Sequence, residues 1–243
     1  MIDFSAFLTA DGWVSLLTLS LLEIVLGIDN IIFISLIAGK LELNSQRKKA
    51  RSIGLLLALV VRISLLFGIT WIIGLKEPLF YIGAFGCTGR DLILFAGGVF
   101  LIVKTTMEIV EKIKHKESFG PTIKSLTVKS AILQIVFIDI IFSFDSILTA
   151  VGLVSNVTLM VFAVIIAMLV MLAFSEKVSG FIFKHPTVKM LALSFLVVIG
   201  IALVLESLHC HVEKAYIYSA LIFSMGVELL NIKMRSNSHK ENH

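Results

Sequence analysis

Seven runs of apolar residues, each about 20 residues long, are the feature that most limits what this chain can fold into. About 20 apolar residues in a helix are enough to cross the hydrocarbon core of a bilayer. Charged residues make up 16% of the chain, against about 25% in a soluble domain. The sequence therefore predicts an all-α polytopic membrane protein with seven transmembrane helices. These fall near residues 13–38, 52–74, 91–111, 128–152, 157–178, 188–207 and 214–232.

The Lys and Arg residues between these runs predict the orientation, because cytoplasmic loops are enriched in positive side chains. Of the 21 basic residues, 17 fall in the joints after the first, third and fifth helices and in the tail, and three fall in the other joints. Arg62 lies inside the second helix. We expect the N-terminus outside and the C-terminus in the cytoplasm. Because the positive charge lies in short joints, nucleic acid is not an expected partner, and the lipid bilayer is.

Two stretches of the chain are near copies of each other, and both place acids inside apolar runs. They read Glu23-Ile-Val-Leu-Gly-Ile-Asp29-Asn30-Ile31 and Asp139-Ile-Ile-Phe-Ser-Phe-Asp145-Ser146-Ile147. An ionised side chain in hydrocarbon is costly, so such residues occur mainly along ion paths. The first helix runs inward and the fourth outward, so the two copies are inserted in opposite directions. The sequence therefore predicts one transmembrane domain, 1–243, with inverted three-helix repeats at about 13–111 and 128–207 and an extra helix at about 214–232.

The side chains in and near the two motifs are candidate ligands for a metal cation. Their oxygen atoms suit Mn²⁺, Mg²⁺ and Ca²⁺, whereas thiolates and imidazoles suit Zn²⁺ and Cu⁺. Four carboxylates exceed what one monovalent ion needs, and protonatable groups of this kind also serve proton exchange. The candidate ligands are Glu23, Asp29, Asn30, Asp139, Asp145 and Ser146, and the candidates for the pathway or for charge pairing are Arg62, Gln134 and Glu228. A purely structural polar network is the alternative.

The spacing of the acids predicts a break in each motif helix. Residues six apart on a straight helix are separated by about 600° of rotation and about 9 Å of rise, so they point in different directions. For both acids of a motif to reach one ion, the helix must unwind between them. We expect this near residues 27–30 and near residues 143–146, and two sites stacked along the pathway are the alternative. Arg62 is expected to neutralise at most one acid strongly, either as the partner of a single carboxylate or in a gating role.

Several activities are not expected of this chain. It has no Walker loop and no GxSxG or HExxH motif, so ATP-driven transport within the chain and common hydrolase chemistry have no support. We predict that it is not an enzyme and needs no cofactor, with intramembrane hydrolysis by aspartates as a weaker alternative. Cys87 and Cys210 both fall on the predicted outer side, where disulfides can form. The sequence leaves their pairing and the oligomeric state open.

Three strings carry a resemblance to the TerC family, in particular to its short members without an appended cytoplasmic domain. They are Glu23-Ile-Val-Leu-Gly-Ile-Asp29-Asn30, Gly89-Arg-Asp-Leu-Ile-Leu and Phe142-Ser143-Phe144-Asp145-Ser146. The resemblance implies a transporter of the LysE type in the bacterial inner membrane that exports Mn²⁺. It also implies metal handling by Glu23, Asp29, Asn30, Asp139 and Asp145. The resulting prediction is divalent-cation efflux by alternating access, with proton exchange, and Ca²⁺ or Mg²⁺ as alternative cargo. A membrane assembly or stress-resistance factor with structural acids is the alternative function.

Overall fold

A computed structural model describes residues 4–68, 77–83, 85–114, 126–154 and 156–241 of the protein. A short 3-10 helix, Ser5–Leu8, precedes the first α-helix. The α-helices are α1 (Ala10–Leu26), α2 (Ile28–Ala38), α3 (Asn44–Phe67), α4 (Gly89–Lys114), α5 (Val128–Leu153), α6 (Val157–Lys184), α7 (Pro186–Ser207) and α8 (Lys214–Glu241). The strands are β1 (Pro78–Ile82) and β2 (Phe85–Thr88). The described chain is therefore almost entirely helical, as the sequence predicts.

Where the structure describes them, the predicted apolar runs fall on helices, and α1 and α2 together cover the first of them. Residues 69–74 of the second run lie outside the described residues. Within the described ranges, five helices are long and apolar enough to cross a membrane: α3, α4, α6, α7 and the Ala215–Arg235 part of α8. The segments Ala10–Leu26 and Asn30–Ala38, bent by 40° at a short break, add a sixth span if they are taken together. The remaining helix, α5, has 26 residues, a length of about 39 Å at 1.5 Å per residue. A polytopic helical membrane protein is confirmed, while the count of seven and the orientation stay predictions.

The joint before α4 contains a small hairpin that the sequence analysis did not predict. Strands β1 and β2 are antiparallel, with Phe80 opposite Cys87 and Tyr81 opposite Gly86. The turn includes Gly83 at a φ of 64°, a conformation that glycine adopts without steric cost. Pro78 stands at the first residue of its strand, one of the few strand positions that tolerate proline. The two strands are short and lie between predicted spans, so the long apolar runs did not indicate them.

The chain divides into two compact units. The first comprises Met1–Arg90 and Thr122–Phe181, and the second comprises Asp91–Pro121 and Ile182–His243. In the first unit α3 packs along α5, and α2 packs against both. Gly54 allows the close approach of α3 to α5, because a Cβ there would lie 2.8 Å from the Ile135 side chain. The predicted three-helix repeats remain a prediction.

Helix α2 is the most deeply buried element of the first unit. Every residue from Asn30 to Ala38 is buried, which matches a helix that is apolar on nearly all faces. Helix α1 differs, because one side of it exposes large apolar side chains such as Trp13 and Leu17. In a membrane protein such a surface faces lipid. Because lipid is as apolar as these side chains, helices in a membrane associate through close packing and polar contacts.

In the second unit, two glycines bring α4 and α7 close together. A Cβ on Gly98 would lie 2.7 Å from the carbonyl oxygen of Gly200, and a Cβ on Gly200 would lie 3.1 Å from the carbonyl oxygen of Gly98. Each glycine therefore packs against the backbone of the other helix, the close approach for which small residues are used in membranes. Further along the same unit, α8 packs on α7, where the Phe195 and Tyr218 ring centroids lie 6.2 Å apart.

Candidate cation site

The first acid motif is interrupted at Gly27. Helix α1 ends at Leu26 and α2 begins at Ile28, with Gly27 at φ −89° and ψ −2°. A Cβ at this position would lie 2.5 Å from the Met171 sulfur and 3.0 Å from the Glu23 carbonyl oxygen. Glycine is therefore needed here for the close contact. Its backbone conformation does not require glycine, because any residue can adopt a φ of −89°. The predicted break is confirmed here, although it covers one residue instead of the expected four.

The second acid motif is not interrupted, so the predicted unwinding near residues 143–146 is wrong. Helix α5 runs without a break from Val128 to Leu153. Its serine hydroxyls bond within the helix: Ser143 Oγ donates to Asp139 Oδ2 at 3.1 Å, and Ser146 Oγ donates to the Ser143 carbonyl at 3.3 Å. Serine disfavours a helix less than glycine does. A serine in place of the glycine is therefore not enough to open the helix.

A buried ionic network joins three helices of the first unit. Arg62 of α3 donates to Glu23 of α1 through Nη1. It donates to Asp139 of α5 through Nη2, at 2.7 Å from Oδ1, and through Nε, at 3.1 Å from Oδ2. All three residues are buried: Glu23 is 5% exposed, Arg62 is 2% exposed and Asp139 is 3% exposed. Arg62 carries one positive charge and so neutralises at most one acid, as expected. The alternative that it is the partner of a single carboxylate is wrong, because the five donors of its planar guanidinium serve two carboxylates at once.

Asp139 is held by two further donors besides Arg62. Asn30 Nδ2 donates to Asp139 Oδ1 at 3.2 Å, and Ser143 Oγ donates to Oδ2. Asn30 is 3% exposed, and its Oδ1 has no hydrogen-bond partner among the described residues. An unpaired buried amide oxygen is costly. The Asn30 oxygen is therefore available as an acceptor or metal ligand beside the two carboxylates.

Other predicted site residues lie outside this network. Ser146 is buried one turn beyond Ser143 and bonds to its own helix. Gln134 Nε2 donates to Ser130 Oγ at 3.1 Å, and its buried Oε1 has no partner in the described part of the chain. Glu228 belongs to the second unit, where it accepts from the Thr187 hydroxyl. The structure thus brings together Glu23, Asn30, Arg62 and Asp139. The hydrogen bonds found for Ser146 and Gln134 go to other groups of their own helix, and Glu228 belongs to the other unit.

Two of the predicted ligands, Asp29 and Asp145, have side chains outside the part of the chain that the structure describes. Their backbones belong to α2 and α5. Over the described residues, no group of three or more His, Cys, Asp and Glu side chains is arranged to hold a metal ion. The described carboxylates of the site are therefore Glu23 and Asp139. Together with the Arg62 guanidinium, they give a net charge of −1 inside the helix bundle.

A small cavity lies against Glu23. Its volume is about 10 Å³, roughly the room that one water molecule needs. Apart from Glu23 the lining is apolar, and it comes from four helices: Leu19 and Leu22 of α1, Leu66 of α3, Ile147 and Ala150 of α5, and Met160, Ala163 and Val164 of α6. Glu23 therefore borders free space, whereas Asp139 accepts hydrogen bonds from three side chains.

Sequence reasoning missed Ser35, one of several buried polar residues of this unit. Ser35 of α2 is completely buried, and its hydroxyl has no partner among the described residues. The available signal was its position in a run of apolar residues, five residues after Asn30. Outside the site, Cys87 is a buried free thiol and Cys210 an exposed one. The disulfide that the sequence left open is thus absent from the structure.

These features define a polytopic helical membrane protein with a polar, charged site inside its membrane segments. The chain belongs to the integral membrane protein TerC family, whose model matches residues 8–243. It is 47% identical over 226 residues to a UPF0053 protein of Haemophilus influenzae, covering 93% of this chain and 95% of the relative. It is 49% identical over 222 residues to the UPF0053 inner membrane protein YgdQ of Escherichia coli K12, covering 91% and 93%. No solved structure matches the chain.

A longer relative shares the same region. The UPF0053 inner membrane protein YoaE of Escherichia coli K12 is 46% identical over 228 residues, which is 93% of this chain and 43% of that protein. The similarity to named inner membrane proteins and the apolar helices together place this chain in the inner membrane as a multi-pass protein. The family and the location expected from the sequence are both confirmed.

Proposed function

We propose that the protein transports a divalent metal cation across the inner membrane, exporting Mn²⁺ by alternating access with proton exchange through its buried acids. One observation carries this proposal. Glu23 and Asp139, from two different helices, both contact the single guanidinium of Arg62 deep in the protein. We infer that the same two carboxylates bind the metal ion when the guanidinium leaves.

The chemistry of the surrounding atoms supports a hard cation. Besides the Arg62 guanidinium, the described side chains that hydrogen-bond to the acids are the Asn30 amide and the Ser143 hydroxyl, both on Asp139. Oxygen ligands of this kind suit Mn²⁺, Mg²⁺ and Ca²⁺. The unpartnered Asn30 oxygen adds one neutral ligand. Acidic side chains inside membrane segments are also the groups that carry protons in coupled transporters.

Purified protein in liposomes provides the direct test. Vesicles loaded with a Mn²⁺-sensitive dye are expected to show Mn²⁺ entry with the wild-type protein and little entry with Glu23→Gln. Glu176→Gln is the matched control, because Glu176 is an acid of the same unit in an exposed pair with Lys48 at 3.6 Å. Equal Mn²⁺ flux through wild-type protein and folded Glu23→Gln protein would contradict the site assignment.

The cargo and the coupling need separate measurements. Titration calorimetry of the purified protein with Mn²⁺, Mg²⁺ and Ca²⁺ is expected to show the tightest binding for Mn²⁺. An inwardly directed pH gradient is expected to change the rate of Mn²⁺ flux if protons are exchanged. In cells, overproduction of the protein is expected to lower total manganese and to improve growth in excess Mn²⁺.

A second function is favoured by a different aspect of the same network. Arg62 already compensates part of the charge of both acids, as expected of a structural network that fixes three helices together. The protein would then act as a membrane assembly or stress-resistance factor and move no ion. In the liposome test this second function predicts no Mn²⁺ flux above empty vesicles, together with normal function of charge-neutral variants in cells.

A further inference from the structure

We propose that Arg62 is a built-in counter-ion that occupies the cation site in the absence of metal, so that a metal ion binds only by displacing the guanidinium. The proposal rests on the proposed transport function and concerns the same site. It gives Arg62 a specific task, which is to compete with the cargo.

The first argument is geometric. The guanidinium lies between the two carboxylates and donates to each of them, through Nη1 on the Glu23 side and through Nη2 and Nε on the Asp139 side. These are the carboxylate oxygens that a shared metal ion would use. A metal ion within ligand distance of both acids would overlap the guanidinium, so the two cations exclude each other.

The second argument concerns charge. Two carboxylates and one guanidinium leave a net charge of −1 on the described side chains, and all three residues are almost fully buried. Exchange of the guanidinium for a divalent ion makes the pair neutral, whereas exchange for a monovalent ion leaves −1. Uncompensated charge is costly in a buried site. Competition with Arg62 therefore favours divalent ions over monovalent ones.

The third argument is that the two acids are held differently. When Arg62 leaves, Asp139 still accepts hydrogen bonds from Asn30 and Ser143, so it keeps its position. Among the described side chains, Glu23 has Arg62 as its hydrogen-bond partner and borders the small apolar cavity. Asp139 is thus the fixed half of the site, and Glu23 is the half with room to move when the cations exchange.

The test is a comparison of Mn²⁺ affinity and Mn²⁺ transport in the variant Arg62→Gln. Removal of a competing group raises the apparent affinity by the inverse of the fraction of protein that is competent to bind. If Arg62 holds the site in nine molecules out of ten, the dissociation constant for Mn²⁺ is expected to fall by about tenfold. Transport is expected to fall as well, because the ion is no longer displaced. A structural role would predict weaker binding instead.

Arg51→Gln is the matched control. Arg51 lies on the same helix and is also buried, but it donates to Ser179 Oγ at 3.0 Å and not to the two acids. Its substitution is expected to leave the dissociation constant for Mn²⁺ unchanged within about twofold, which is a free-energy difference of about 0.4 kcal/mol.

Three results would overturn the proposal. The first is folded Arg62→Gln protein that binds Mn²⁺ no more tightly than wild type. The second concerns Arg62→Lys, which keeps the charge but lacks the fork that bridges two carboxylates. It is expected to bind Mn²⁺ a few-fold more tightly than wild type, so unchanged affinity in this variant counts against competition. The third is failure of both variants to fold, which would assign Arg62 a structural role.

The same data separate this proposal from the proposed function. Wild-type protein that neither binds nor moves Mn²⁺ would contradict transport itself. Wild-type protein that transports Mn²⁺, together with an Arg62→Gln variant of unchanged affinity, would contradict only the counter-ion role.

Discussion

Asp139 is the residue on which the buried network depends most. It accepts hydrogen bonds from side chains of α2, α3 and its own helix: Asn30, Arg62 and Ser143. Glu23 differs, because the hydrogen bond that it makes among the described side chains is with Arg62. The two acids therefore contribute unequally to the packing of the bundle, although they occupy equivalent positions in the two sequence motifs.

This difference predicts the stability of two neutral variants. Asp139→Asn removes the charge that two guanidinium nitrogens contact, and breaking a buried ion pair costs about 3–5 kcal/mol. Glu23→Gln is expected to lower the free energy of unfolding by a smaller amount, since Arg62 keeps its contacts with Asp139. Denaturation of purified protein in detergent, followed by circular dichroism, measures both. An equal or larger loss in Glu23→Gln would contradict the ranking, and Glu176→Gln serves as the exposed control.

At the scale of the helices, the two acid motifs show what sequence reasoning captures and what it misses. Both were expected to break, because acids six residues apart point in different directions on a straight helix. Gly27 does interrupt its helix, while Ser143 leaves α5 continuous. Whether the helix is interrupted depends on the residue type, glycine or serine, and not on the matching position in the two motifs. A contact such as that of Gly27 with the Met171 sulfur depends on a helix more than 140 residues away, so it is invisible to local patterns.

The crossing of α4 and α7 gives a prediction for the second unit. In Gly98→Ala the new Cβ would lie 2.7 Å from the Gly200 carbonyl oxygen and 3.0 Å from the Val204 nitrogen. These are backbone atoms, so the helices themselves must separate. Overpacking of this kind typically costs about 1–3 kcal/mol. The variant is expected to unfold at a lower temperature than wild type in a detergent melting experiment.

Gly226→Ala is the control for that prediction. Gly226 lies in α8 of the same unit, and a Cβ there would meet nothing within 4 Å. Alanine is a better helix former than glycine by about 1 kcal/mol, so this variant is expected to be neutral or slightly stabilised. Equal melting temperatures for Gly98→Ala and Gly226→Ala would show that the contact of α4 with α7 does not limit stability.

At the scale of the whole molecule, apolar run length located every α-helix of the described chain, because a membrane imposes one length on all spans. The sequence also singled out Glu23, Asn30 and Asp139, because polar groups in apolar runs are rare, and the structure joins them in one buried polar network through Arg62. It did not reveal that Arg62 contacts both acids, since this depends on the packing of α3 beside α1 and α5. It missed the β1–β2 hairpin for the same kind of reason, because strand pairing is not encoded in hydropathy.

The predicted orientation can be tested with the natural cysteines. Cys210 is exposed and lies between α7 and α8, on the side that the distribution of basic residues assigns to the exterior. A membrane-impermeant maleimide is therefore expected to label intact spheroplasts that produce wild-type protein or the Cys87→Ser variant. The Cys210→Ser variant is expected to stay unlabelled, because Cys87 is buried. Labelling of Cys210 only after lysis would reverse the orientation.

The ionic contacts of Arg62 also bear on how such a chain is made. A newly synthesised polypeptide that brings its own counter-charge offsets part of the charge of its acids without a bound metal. If the site binds a metal as proposed, synthesis of the protein and loading with the metal are separate events. A cell grown without the metal is in that case expected to contain as much mature protein as a cell supplied with it.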